Sequence, residues 1–303
     1  MYEAYYHLSG KPFQLSPDPR FFFSSKGHSR AMAYLVYGVH QAEGFIVITG
    51  EVGAGKTTLA RALARKMETQ RVVLAHVVSS KLEADDIVRM VAAAFGLPHH
   101  ESKAVLLRDL EKFLLACHNQ GKRALLLMDE AQNLPPGAVE ELRMLSNFQS
   151  EEKSLLQSFL LGQPEFRQTL QRPEMEQLRQ RIIASCHLGP MDGADSEAYI
   201  VHRLQTVGWR QDPSFSPDAF AAIYEQTGGI PRKINVLCNR LLLLGYMDEK
   251  HAIRAPDVAA VIEDLEQEMA PKTVEADETR NRKAARRKPA SKSQETDGGG
   301  EAT

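Results

Sequence analysis

The stretch Gly50-Glu51-Val52-Gly53-Ala54-Gly55-Lys56-Thr57 constrains this chain more than any other. It satisfies G-x-x-x-x-G-K-[ST] and lies between an apolar run of strand length, residues 45–49, and a segment of helical period, residues 57–69. Glycines let the backbone curl so that successive N–H groups converge on phosphate oxygens, and the following helix adds its positive N-terminal end. The spacing predicts a loop that cradles phosphates through residues 50–57 and the adjoining Thr58. Lys56 would reach the β- and γ-phosphates, and the Thr57 hydroxyl would take a Mg2+ position. The alternative is a glycine turn with a surface lysine. It requires a coincidence of roughly 1% in about 300 residues, before the flanking strand and helix are counted.

The surroundings of this loop suit an α/β protein. Apolar runs of strand length at 45–49, 71–78, 124–128, 155–161 and 182–188 alternate with helical periodicity at 57–69, 83–95, 102–118 and 136–148. That alternation predicts a mainly parallel sheet covered by helices. After about Leu188 only helical patterns remain, at 196–207, 217–225, 231–246 and 256–268, which predicts a small all-helical domain. From 271 to 303 the single large apolar residue is Val274 and there is no aromatic, so the segment is expected to be a disordered tail. Its basic run from Arg280 to Lys288 either meets an anionic surface or is simply solvated.

A second motif ends the third apolar run: Ala124-Leu-Leu-Leu-Met-Asp129-Glu130. Carboxylates at the carboxyl end of a parallel strand face the ligand crevice, so Asp129 can hold Mg2+ through water while Glu130 orients and deprotonates an attacking water. Two arginine-bearing stretches follow. Leu178-Arg179-Gln-Arg181 precedes the last strand, where a side chain can project across a subunit boundary. Gly228-Gly229-Ile230-Pro231-Arg232 opens a helix, from which Arg232 can reach back to a γ-phosphate. Each arginine could equally form a surface ion pair worth under about 1 kcal/mol.

Other features exclude rather than assign. With 37 Lys+Arg against 39 Asp+Glu, net charge gives no sign of a nucleic acid partner. No apolar run approaches the roughly 20 residues of a membrane span, and residues 1–10 lack a leader pattern. Cys117, Cys186 and Cys238 have no metal-knuckle spacing and read as small buried residues in a reducing, cytosolic setting. His99-His100, in a loop after Gly96-Leu-Pro98, has no carboxylate or Cys spacing around it and reads as a surface pair, not a metal site. The Pro- and aromatic-rich stretch at 12–23 either packs over an adenine base, with His28 near it, or straps a sheet edge.

Phosphate loop, Asp-Glu strand end, late arginine pair and Gly-x-Pro-Arg, in this order, resemble an AAA+ ATPase. The more specific likeness is to the ExeA-like secretion ATPases, and within them to the ATPase associated with exosortase (PEP-CTERM) and exopolysaccharide loci. It is carried by Met1-Tyr-Glu-Ala-Tyr-Tyr, Pro12 to Phe23, Gly44 to Gly50, Asp129-Glu-Ala-Gln-Asn133, Glu141 to Phe148, Gly162-Gln-Pro-Glu-Phe166 and Gly229-Ile-Pro-Arg232.

The resemblance implies an α/β P-loop core with a five-stranded parallel sheet at 44–190. It implies an N-terminal strap and first helix at 1–43, a helical lid at 191–269 and a disordered tail at 270–303. It implies ATP and Mg2+ as ligands and a homo-oligomer, ring or partial ring, as the active form. Arg232 matches the second sensor and Arg181 the arginine finger, with Arg179 as substitute. Gln163 stands where many such proteins place Asn or Thr as first sensor. Some ExeA-like proteins continue into a transmembrane helix and a peptidoglycan-binding domain. The expectation here is a cytoplasmic ATPase without a span, brought to the membrane by a secretion or polysaccharide-export partner. Competing readings are a DNA-handling ATPase of the transposition-helper or initiator kind, and a nucleotide-gated scaffold with little turnover. The first is disfavoured because no winged-helix or zinc module follows the lid.

Overall fold

The computed structural model describes residues 1–16, 18–41, 44–68, 71–79, 84–150 and 153–269. In chain order the elements are α1 (Tyr2–Tyr5), α2 (Lys26–Gln41), β1 (Phe45–Gly50), α3 (Lys56–Glu68), β2 (Val72–Val78), α4 (Ala84–Ala94) and α5 (Lys103–Asn119). They continue with β3 (Arg123–Asp129), α6 (Pro136–Leu145), β4 (Gln149–Ser150), β5 (Lys153–Ser154), β6 (Leu156–Gly162), α7 (Glu165–Leu170), α8 (Glu176–Arg179) and β7 (Ile182–Leu188). The rest is α9 (Gly193–Thr206), β8 (Ser214–Phe215), α10 (Pro217–Thr227), α11 (Pro231–Met247), β9 (Ala252–Ile253) and α12 (Ala255–Met269). Residues 1–262 form one compact unit; the described part of the next, from Glu263, is the end of α12.

Five strands form one parallel sheet in the order β2-β3-β6-β1-β7. Side chains alternate between its faces, and helices cover both, which is why β1 and β3 read as nearly continuous apolar runs, while β6 buries Gln157 and Ser158 among its apolar residues. On one face Phe45, Val47, Leu126, Met128, Leu156 and Leu160 pack with Ile87, Leu110, Leu142 and Phe166 of the helices. On the other, Ile46, Ile48, Leu125, Leu127, Phe159 and Leu161 pack with Leu35 of α2 and Leu59 and Leu63 of α3. Register aligns Val78 with Asp129, Thr49 with Gly162 and Gly50 with Leu188, so the carboxyl ends of four strands, and Gly50 at the end of β1, lie together. In an open parallel sheet a ligand crevice belongs at this edge.

The five expected strands and the alternating helices are present, most with ends moved by a residue or two. The expected positions Thr69 and Glu83, and the tail at 270–303, lie outside the described residues. Helix α6 stops at Leu145 rather than Phe148, whose carbonyl instead accepts from Leu155 N at 2.8 Å. Helix α9 starts three residues early because Asp192 caps it, its Oδ1 accepting from Asp195 N at 2.7 Å. Extended structure does not vanish after Leu188: Ser214 and Phe215 pair in parallel with Ala252 and Ile253. Two-residue pairings, like the β4–β5 hairpin, are too short to carry a period. Cys117 and Cys238 are buried and Cys186 is half-buried. His100 Nε2 lies 3.3 Å from Asp109 Oδ2 of α5.

Candidate nucleotide site

At the aligned strand ends lies a cleft of ≈ 210 Å³, lined by the glycine loop, the end of β3, the 12–23 strap with His28, and residues of α9 and α11. The loop is shaped by glycines at positions where no other residue fits. Gly53 has φ +83°, and a Cβ there would lie 2.3 Å from Cβ of Arg232; Gly55 has φ +93°, with the His28 ring 2.9 Å from the same imagined atom. Both positive φ values and both close approaches exclude a side chain.

Lys56 opens α3 and is buried; its Nζ donates to the carbonyls of Gly50 at 2.7 Å and Glu51 at 3.0 Å. Burial pulls its ammonium below the usual lysine range, against the pull of Glu130, Asp129, Glu51 and Glu165. Thr57 Oγ1 donates to Asp129 Oδ2 at 2.6 Å, joining the loop to the end of β3. Asp129 is 6% exposed. Burial alone would raise its pKa, but the His76 ring, the Thr57 hydroxyl and the Glu130 N–H together hold it below the usual carboxylate range. His76 Nε2 lies 3.9 Å from Asp129 Oδ2.

Glu130 leaves β3 with φ +55°, a left-handed conformation uncommon for a residue with a side chain. The turn that follows, Ala131–Asn133, brings Gln132 back so that its Nε2 donates to Glu130 Oε2 at 2.6 Å. Gln163, just past β6, donates through Nε2 to the same oxygen at 3.3 Å, and through its backbone N–H to Gln132 Oε1 at 3.0 Å. Gln163 is thus brought to Glu130. Gln132 acquires a partner set that no spacing or motif foretells.

Arg232 sits in the first turn of α11 and lines the cleft; its N–H donates to Gly53 O at 3.2 Å. The other two candidate arginines do not line it. Arg181 Nη1 donates to Ser146 Oγ at 2.7 Å, and Arg179 Nη1 to Leu170 O at 2.8 Å.

The strap lines the cleft through Gln14, Asp18 and Phe21 to Phe23. Arg203 of α9 holds it. This buried guanidinium donates to the carbonyls of Pro12 and Gln14 and to Tyr199 Oη, and lies 4.6 Å from the centre of the Phe21 ring. Tyr199 Oη in turn donates a hydrogen bond to Asn235 Oδ1 at 2.9 Å. Sequence reasoning missed Arg203, because an arginine within a helical pattern looks like any solvated one. His28 is buried, its Nδ1 2.7 Å from Ser25 Oγ; burial lowers its pKa, offset in part by the Ala54 backbone and Asp195.

The AAA domain profile matches residues 39–170. General secretion pathway protein A of Aeromonas hydrophila is 41% identical over 261 residues, 86% of this chain and 47% of that protein. A putative ORC1-type DNA replication protein 1 of Thermoplasma acidophilum is 30% identical over 102 residues, 33% of this chain and 28% of that one. The chain spans about half or less of the length of these relatives. Among solved structures, the Aeropyrum pernix ORC2 protein in its ADPNP-ADP complexes superposes with a TM-score of 0.64 at 18% identity, over 84% of this chain and 71% of that chain. At that identity the likeness is one of fold, that of the AAA+ P-loop proteins.

Proposed function

We propose that this chain, which carries an AAA domain and is related over most of its length to general secretion pathway protein A, is a Mg2+-dependent ATP hydrolase. The observation that carries the reading is the 2.6 Å bond between Thr57 and Asp129, with Glu130 next in the chain. That bond brings the end of the glycine loop and the end of β3 together, which supports reading the loop as the phosphate holder, Thr57 and Asp129 as oxygen ligands and Glu130 as the base. The Thr57 hydroxyl and the ionised Asp129 are hard oxygen donors suited to Mg2+. A magnesium ion held there would neutralise phosphate charge.

The chain's own residues do the rest. Backbone N–H groups of residues 50–57, with Thr58, hold the phosphates, and Lys56 turns its ammonium from the loop carbonyls to the β- and γ-phosphates. Glu130 takes a proton from water as the water oxygen bonds to the γ-phosphorus. The bond between that phosphorus and the bridging oxygen breaks, its electron pair leaving with ADP, and phosphate is released. Arg232 would meet the terminal phosphate from α11, and Gln163, which donates to Glu130 and does not line the cleft, would serve that phosphate or its attacking water from the end of β6. Residues 44–190 act as the α/β core, 191–269 as the lid and 1–43 as the strap and first helix.

Arg181 serves a neighbouring subunit in a homo-oligomer, with Arg179 as the substitute. The placement of both outside the cleft of their own chain supports action across a boundary. The system served is a membrane-bound export component, specifically an exosortase-linked (PEP-CTERM) exopolysaccharide assembly, with the ATPase on the cytoplasmic face. The secretion-pathway relative and the quoted motifs support this pathway. Among the described residues no helix is long and apolar enough to cross a membrane.

The test is ATP turnover, measured as phosphate release against protein concentration. Specific activity should rise as subunits associate. Arg181→Ala and Lys56→Ala should each be inactive alone, whereas their mixture should recover activity where one chain's loop meets the other's arginine. No turnover by the parent chain with Mg2+ removes the hydrolase reading. No recovery despite demonstrated co-assembly removes Arg181 from the neighbour's site.

A further inference from the structure

Glu130 is held by an amide that the chain folds back onto it. Gln132 Oε1 accepts the backbone N–H of Gln163 at 3.0 Å, and Gln132 Nε2 donates to Glu130 Oε2 at 2.6 Å. A backbone N–H can only donate, so the oxygen end of the amide must face β6 and the NH2 end must face the carboxylate. The side-chain amide of Gln163 donates to the same Oε2 at 3.3 Å. Both donors therefore converge on one carboxylate oxygen, and among the described residues no side-chain donor is directed at the other, Oε1.

An unheld glutamate has three rotatable side-chain bonds, and fixing them costs entropy at every turnover. Here the restraint comes from β6 rather than from β3, the strand that presents Glu130. We propose that Gln132 is a positioning residue for hydrolysis: it occupies Oε2 and anchors the carboxylate to the end of β6, leaving Oε1 aimed outward to take the water's proton. The inference rests on the hydrolase reading above and adds a residue to it. A neutral amide is the side chain that meets both demands, since it carries an acceptor and a donor on one plane.

The test uses the full chain with Gln132→Glu and Gln132→Met, comparing kcat for phosphate release with the Kd for ATP by calorimetry. Gln132→Glu keeps the acceptor for Gln163 N–H but offers Glu130 a like charge in place of a donor; Gln132→Met offers neither. If Gln132 positions the base, both should lower kcat by about 10- to 100-fold, as small misplacements of a reacting group do, with Kd within about twofold of the parent. If Gln132 merely satisfies the β6 backbone, Gln132→Glu should turn over at the parent rate, and that result overturns the inference. In a Glu130→Gln background, Gln132→Glu should cost nothing further, since the group it acts through is gone; an additional tenfold loss also overturns it. This background removes the like-charge repulsion and so covers the case in which the single variant folds poorly. A parent chain that binds ATP without turnover removes the hydrolase reading together with this one. A parent that turns over beside a fully active Gln132→Glu removes this inference alone.

Discussion

The cleft is built differently at its two ends. At the phosphate end, Thr57 and Asp129 are 72 residues apart, but each arrives on its own regular element, and one bond joins them. At the strap end, Arg203 reaches across 191 and 189 residues to the carbonyls of Pro12 and Gln14, on a stretch with little regular structure. The first end is fixed by strand register and by glycine backbone geometry, which tolerate little movement. The second depends on one buried cation bonded to neutral acceptors, with rings of Phe21 and Tyr199 beside it. In the proposed function, phosphates would meet a frame set by strand register, and the rest of the nucleotide would meet a wall tied down by a residue far along the chain.

The largest effect expected breaks the rigid end. Lys56→Ala should abolish ATP binding, because phosphate charge would then face backbone dipoles alone; calorimetry reads this directly, and unchanged affinity would remove the loop from the phosphates. Next is Glu130→Gln, which should keep ATP bound while lowering turnover about 10²-fold or more, since the amide keeps the shape and loses the base. Turnover at the parent rate would place the base elsewhere.

Arg203→Met sharpens the contrast, for it keeps the bulk of the side chain and removes its donors. Buried carbonyls left without partners cost about 1–3 kcal/mol each, so Tm should fall by several degrees. Affinity for ATP should drop roughly tenfold while affinity for inorganic tripolyphosphate stays unchanged, since only the strap wall is released. An equal loss for both ligands would mean that the two ends are not separable. The smallest effect is expected for Lys26→Ala. Its ion pair with Asp192, 2.8 Å long, also links the strap side to α9, but both groups are exposed and screened. Neither Tm nor ATP affinity should change measurably; a clear drop in Tm would show that α9 is held to the strap by more than Arg203.

The same division governed what could be read from the sequence. The sheet was legible because strands buried on both faces must be apolar throughout, and because Gly50 to Thr57 carries its own geometry. The short helices α7 and α8 and the β8–β9 pairing were not, since four to six residues, or two, show no period. Asp192 before α9 was a readable cap, obscured by the glycine that follows it. At the strand ends Thr57 meets Asp129, with Lys56 and Glu130 beside them and Arg232 lining the same cleft, all on segments that the sequence marks by motif or position. Gln163, singled out through the resemblance alone, reaches Glu130 without lining the cleft. Gln132 and Arg203 stayed hidden because their meaning lies in partners 31 and about 190 residues away.

Gly53 has a mechanical consequence. Its carbonyl accepts the N–H of Arg232, and its missing side chain is what allows α11 to sit so near. Helix α11 runs 17 residues from that point, about 25 Å at 1.5 Å per residue. It ends at Met247, which is 69% exposed. At that radius a tilt of α11 by a few degrees about its contact with Gly53 would displace Met247 by about an ångström or more, so the far end of the helix would register a small change in the glycine loop.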